Sequence, residues 1–112
     1  MLSGPKSKLL PLSASSNSQG HLVLGGCDVA DLLSEYGSPL YVYDLVTLDE
    51  MIKSFIDAFS NLYPESRIVY ASKAFINLGL AKLLAGYGLG FDVVSGGEMA
   101  VLRAAGISPE GV

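Results

Sequence analysis

The sequence predicts an α/β protein built on parallel strands. Short β-rich runs at residues 40–44, 67–73 and 91–95 alternate with amphipathic stretches of helical length. Only a few residues connect each run to the next stretch, as in βαβ units. Half of the 112 residues are apolar and 16% are charged, which suits a buried core and excludes the composition of a disordered chain.

Residues 1–20 are rich in serine and hold two lysines and no acid. They predict a disordered tail, and the same bias occurs in organelle transit peptides, although arginine and an amphipathic period are missing here. Residues 21–38 form a lead-in. The weak alternation of 21–25 ends in Gly25-Gly26 and predicts a short strand and turn. Over 28–36 a helix is expected: Asp28 can cap it, Val29, Leu32, Leu33 and Tyr36 share a face, and Gly37 followed by Ser38-Pro39 stops it.

Residues 39–112 read as successive βα units. LYVYD at 40–44 is a β-rich run of strand length. The spacing predicts a helix over 47–63, opened by a Thr47/Glu50 capping box and carrying an apolar stripe of Leu48, Met51, Ile52, Phe55, Phe59 and Leu62. Pro64 ends it. Next come a strand at 67–73 (RIVYASK), a helix at 77–87, a strand at 91–95 (FDVVS) and a helix at 97–105 closed by Gly106. Residues 107–112 lead toward a further strand. Right-handed crossovers place such helices outside a closing barrel or on both sides of an open sheet, and the pattern leaves both open. A (β/α)8 barrel takes about 250 residues, so this chain would supply only part of one.

Composition removes several classes of function. Seven Lys and Arg against eleven Asp and Glu give a net charge of −4, with no basic block to neutralise a run of phosphates, so nucleic acid is not an expected partner. One cysteine, Cys27, and one histidine, His21, offer neither an internal disulfide nor a Cys/His metal cluster. A reducing, cytoplasmic-type compartment is expected. Every hydrophobic stretch is interrupted before the roughly 20 residues needed to span a bilayer, so no membrane role is expected.

Lys73 and Asp92 are the candidates for chemistry. Alternation along an extended segment puts Val69, Ala71 and Lys73 on one face, with the lysine at the carboxyl end of its strand, where ligands bind in sheets and barrels alike. Ala71, Ser72 and Ala74 leave room beside it for a flat ring, and a desolvated lysine amine can form a Schiff base. The competing reading is a lysine extending into solvent. Asp92 sits in an apolar strand, where an acid is costly unless paired; inward-facing strands would bring it to the same interior as Lys73, and otherwise it is a solvated strand-edge carboxylate. The Ser95-Gly96-Gly97-Glu98 turn could hold an anion at a helix N-terminus or serve as a structural turn with Glu98 against the helix dipole. Gly86, Gly88 and Gly90 follow a helix and precede a strand, the reverse of the dinucleotide-binding order, so they read as helix termination. His21 reads as a surface residue without partners.

Four motifs, GSPLYVYD (37–44), YASKAF (70–75), GLGFDVVSGGE (88–98) and AAGISPEGV (104–112), then converge in order and spacing. Over residues 20–112 the chain resembles the amino-terminal part of the diaminopimelate decarboxylases, pyridoxal-phosphate enzymes with an alanine racemase-like barrel. The resemblance implies the amino-terminal part of a (β/α)8 barrel, with the carboxyl-terminal β domain absent from this chain. It implies that Lys73 holds pyridoxal 5'-phosphate as a Schiff base, that Ala71 lies against the cofactor, and that Asp92 is the acid near the cofactor lysine. No metal is implied. The expected reaction is decarboxylation of meso-2,6-diaminopimelate to L-lysine and CO2, the last step of lysine biosynthesis, by an enzyme that is a homodimer when full length. The family's phosphate-binding and substrate-binding segments lie beyond residue 112, so the isolated chain is expected to be inactive. The alternatives are an ornithine or arginine decarboxylase or an amino-acid racemase of the same fold, or a non-catalytic pyridoxal-phosphate-binding protein.

Overall fold

The computed structural model describes residues 7–112. The chain forms two compact units, Met1–Ser54 and Phe55–Val112, a division that coincides with neither expected boundary, 20/21 or 38/39.

The first unit opens with a 3-10 turn at Ser7–Leu9 and a small antiparallel meander of β1 (Ser15–Ser16), β2 (Leu22–Leu24) and β3 (Cys27–Asp28). Ser15 pairs with Val23, and Val23 with Asp28. The expected disordered tail therefore fails over its described part, while residues 1–6 lie outside the described residues. The physical reason is polar pairing that a composition argument does not see: Ser13 Oγ accepts from Gly25 N at 2.7 Å, and Leu12 N donates to Thr47 Oγ1 at 2.8 Å. Gly25 and Gly26 take positive φ, 57° and 83°, so the β2–β3 turn needs residues without a Cβ penalty.

Helix α1 (Val29–Tyr36) is capped by Asp28, whose carboxylate accepts from Ala30 N at 2.8 Å. Gly37 stops it at φ 82°. Asp28 Oδ2 also accepts from Asn17 Nδ2 at 2.6 Å and lies 2.9 Å from His21 Nδ1. His21 thus has the partners that its isolated position in the sequence hides. Its hydrogen bond is the leading cause holding the Asp28 carboxyl below the usual range.

The expected strand at 40–44 does not form a ladder. Its β propensity has no partner strand among the described residues, and a strand exists only where its N–H and C=O groups pair. Helix α2 instead begins earlier than predicted, as Leu45–Ser60. Asp44, not Thr47, caps it: Asp44 Oδ2 accepts from Thr47 N at 3.0 Å and from the Thr47 hydroxyl, while Asp44 O accepts from Leu48 N at 3.0 Å. Thr47 is a donor within the first turn, a role that its residue type does not distinguish from that of a cap.

Asp44 is buried, 8% exposed, and its Oδ1 has no hydrogen-bond partner of full geometry. The Thr47 hydroxyl is the largest influence on its carboxyl and holds it below the usual range, against the opposing effect of burial. A carboxyl whose folded pKa lies below its unfolded value stabilises the fold above the unfolded value and loses that contribution as pH falls through the folded one. Asp44→Ala is therefore expected to cost about 1 kcal/mol at neutral pH and to reduce the loss of stability below about pH 4. Urea unfolding of both proteins across the acid range checks this, and equal stability at neutral pH would refute the cap.

The second unit holds the parallel pair. Strand β4 (Val69–Ala71) leads through residues 72–77 to α3 (Leu78–Gly86), then to β5 (Gly90–Asp92) and α4 (Gly96–Ala104). Strands β4 and β5 pair in parallel, Val69 with Gly90, Tyr70 with Phe91 and Ala71 with Asp92. Asn77 and Ser95 cap the two helices through Leu80 N and Glu98 N. The final residues form a 3-10 turn, Pro109–Gly111, rather than an extended lead-in, because Ser108 caps it and Pro109 begins it.

Register sorts the two faces of this ribbon. Phe91, 2% exposed, shares its face with Tyr70 and belongs to an apolar layer completed by Ala81, Leu84 and Leu102 from α3 and α4. The opposite face, with Val69, Ala71 and Asp92, is open: Val69 is half exposed and Asp92 is exposed. At the amino end of β4, Arg67 lies over Gly90 and donates to Glu110 O at 3.3 Å. A Cβ on Gly90 would come within 2.9 Å of the guanidinium.

Candidate functional site

The candidate residues gather at the carboxyl end of the β4–β5 ribbon. Ala71 and Asp92 are register partners, so both belong to the open face. Lys73 lies two residues beyond Ala71, in the turn that follows β4, and is exposed. Strand alternation therefore stops before Lys73, and loop geometry rather than the pleat sets its position. Ser72 N donates to Asp92 O at 2.9 Å and continues the ladder by one bond; Ala74 N donates to Ala71 O at 3.1 Å and closes the turn around the lysine. Lys73 and Asp92 form no ion pair in this structure.

The second turn, from β5 into α4, is closed by its own side chains. Ser95 Oγ accepts from Glu98 N at 3.2 Å, and Glu98 Oε2 accepts from Val94 N at 2.8 Å. Of the two readings of SGGE, the structural one accounts for both polar side chains, since an internal carboxylate already serves the Val94 N–H. Among the described residues, no group of His, Cys, Asp and Glu could hold a metal ion, and no helix is long and apolar enough to cross a membrane. Cys27 is a free, exposed thiol.

These features suit a carbonyl cofactor with a flat ring. They comprise an exposed primary amine at the carboxyl end of a strand, a methyl side chain on the open face below it, and a carboxylate level with that methyl on the next strand. They are the three residues, Lys73, Ala71 and Asp92, that the sequence reading singled out. It missed Tyr70, whose hydroxyl donates to Phe75 O at 2.7 Å across the Lys73 loop. A hydrogen bond from a tyrosine to a backbone carbonyl leaves no mark on the accepting residue type, so no sequence signal announces it.

Comparison with known proteins bears on the same segment. The family model of the pyridoxal-dependent decarboxylases, pyridoxal binding domain, matches residues 48–112. The chain belongs to the pyridoxal-dependent decarboxylase family. Among the members it resembles, the diaminopimelate decarboxylase of Synechocystis sp. is 46% identical over 96 residues, 85% of this chain and 20% of that protein. The diaminopimelate decarboxylase of Bacillus subtilis is 45% identical over 94 residues, 84% of this chain and 21% of that one. A crystal structure of the diaminopimelate decarboxylase of M. jannaschii in complex with L-lysine superposes with a TM-score of 0.75 at 33% identity, covering 86% of this chain and 23% of that one. The chain thus spans about a fifth of the length of the curated relatives it matches. The family's pyridoxal binding domain includes β4, the Lys73 loop and β5 within its matched residues.

Proposed function

We propose that this chain is the amino-terminal, pyridoxal-phosphate-binding part of a diaminopimelate decarboxylase, and that the full-length enzyme converts meso-2,6-diaminopimelate to L-lysine and CO2. The observation that carries the reading is the placement of Lys73 just past β4, beside the in-register pair Ala71 and Asp92, inside the matched family domain. The names of the relatives, each at more than 40% identity, and the L-lysine in the M. jannaschii structure support the substrate class.

Lys73 Nζ is the group that holds the cofactor and moves a proton near the reacting carbon. Asp92 places a carboxylate on the same sheet face, in register with Ala71. Ala71 keeps the face between them low enough for a ring to approach. When bound, pyridoxal phosphate supplies an electron sink for the pair left behind as CO2 departs. In this reading β4 and β5 are strands of a (β/α)8 barrel, with their open face toward the barrel interior and α3 and α4 on its outer side. The enzyme works as a homodimer in the cytoplasm.

The test is substrate choice. Full-length protein carrying this chain is expected to release CO2 from meso-diaminopimelate with a kcat/KM at least about a hundredfold above that for ornithine or arginine, an order consistent with a site built for a second polar end group. Preference for ornithine or arginine, or no turnover of any of the three, would overturn the proposal.

A further inference from the structure

Residues 72–77 are a short loop between β4 and the Asn77 cap of α3, and Lys73 is near its crest. The loop is held at four points. Ser72 N bonds Asp92 O, Ala74 N bonds Ala71 O, and Asn77 Oδ1 accepts from Leu80 N at 2.8 Å. The remaining anchor is the 2.7 Å bond from the Tyr70 hydroxyl to Phe75 O. Three of these bonds lie at the loop's ends or immediately beside the strand. The Ala74–Ala71 bond closes the turn just past the lysine, and the Tyr70 hydroxyl reaches one residue farther, so Lys73 lies in a segment held at Ser72, Ala74 and Phe75.

The tyrosine is well placed for this task. Its Cα is the register partner of Phe91, and its ring is on the face that packs toward the helices. A ring seated on a strand is a rigid base with two side-chain torsions, so its hydroxyl fixes the loop at little cost in flexibility. Tyr70 is half buried, on the opposite face from Ala71 and Asp92. It does not share the face where the chemistry is read.

We infer that Tyr70 is a positioning residue for Lys73: its hydroxyl sets the height and direction from which the lysine approaches the open face of β4 and β5. The inference rests on the proposed role of Lys73 as the residue that holds the cofactor. Its physical basis is that misplacing a reacting group by about 1 Å can cost about a hundredfold in rate. A single neutral hydrogen bond, by contrast, contributes only modestly to stability. Loss of the hydroxyl should therefore show at the lysine far more than in the fold.

The test uses full-length enzyme and its Tyr70→Phe variant, which keeps the ring and removes the donor. Amide hydrogen exchange at residues 73–76 is expected to quicken about fivefold, as for loss of one hydrogen bond, with exchange in α4 unchanged. The variant is expected to bind added pyridoxal phosphate several-fold more weakly, and kcat is expected to fall by a larger factor than KM changes. Borohydride reduction followed by peptide mapping locates the cofactor in both proteins. A label on Lys73 with unchanged loop exchange or unchanged cofactor affinity overturns the positioning role alone. A label on another lysine overturns the reading of the site and this inference together. Faster exchange in α4 as well would show a structural role and refute it too.

Discussion

Lys73→Ala in the full-length enzyme is expected to lose borohydride-fixable cofactor and to decarboxylate at a rate lower by at least the roughly 10²–10⁴-fold that a positioned proton-transfer group contributes. The expectation follows from the loop. The amine is exposed just past β4, with Ala71 two residues before it and Asp92 across the ladder. Lysines 53 and 82 are instead on the helices α2 and α3, and Lys53 is engaged with Asp49 at 2.7 Å. Lys73→Arg separates charge from chemistry: arginine keeps the positive charge, but its guanidinium stays protonated and does not take the lysine's part in covalent attachment. Both variants should therefore lose the cofactor label. Reduction that still fixes cofactor to either variant would refute the assignment, and peptide mapping would name the lysine that carries it.

The second large effect concerns the layer beneath the site. Phe91→Ala is expected to destabilise the protein by about 3–5 kcal/mol, the range for removing a fully buried aromatic side chain. Phe91 is 2% exposed and the largest of the fully buried side chains. Its ring is on the helix side of β5, next in sequence to Asp92, with Leu84 and Leu102 in the same buried layer. The loss combines apolar area returned to water with a cavity that the surrounding helices fill only in part. Urea unfolding with tyrosine fluorescence measures it. A loss below about 1 kcal/mol would show that the layer repacks around the missing ring, a tolerance that well-packed cores rarely show. Asp92 adjoins Phe91 in the chain, so cofactor affinity should fall along with stability.

The second unit was largely legible in the sequence, because each of its elements carries its own local signals. Asn77 and Ser95 cap α3 and α4, Gly88 and Gly106 take the positive φ that ends a helix, and Leu84 and Leu102 are buried. The parallel pairing of YA with FD followed from the order of the elements. What escaped was whatever depends on a partner distant in the chain or on the main chain. LYVYD has strand composition, but a strand is a property of a pair. Thr47 and Asp44 are both good caps, and only the hydrogen bonds show that the helix begins at Leu45. The meander over residues 15–28 rests on bonds such as Ser13 to Gly25, which a serine-rich composition conceals. At the site itself the residue types at 71, 73 and 92 could be read, whereas the geometry that aims Lys73 could not.

Arg67 and Gly90 face each other at the amino end of the ribbon, and the guanidinium occupies the space where a side chain at position 90 would begin. Because the obstructing atoms are the far end of a flexible side chain, an alanine there is not forbidden. It would move the arginine and strain or break its bond to the Glu110 carbonyl. The two positions therefore form a single unit of variation. In a designed library or a diverging lineage, residue 90 is free to acquire a side chain only when residue 67 shortens or releases Glu110, and substitution scores assigned to either position alone would misjudge both.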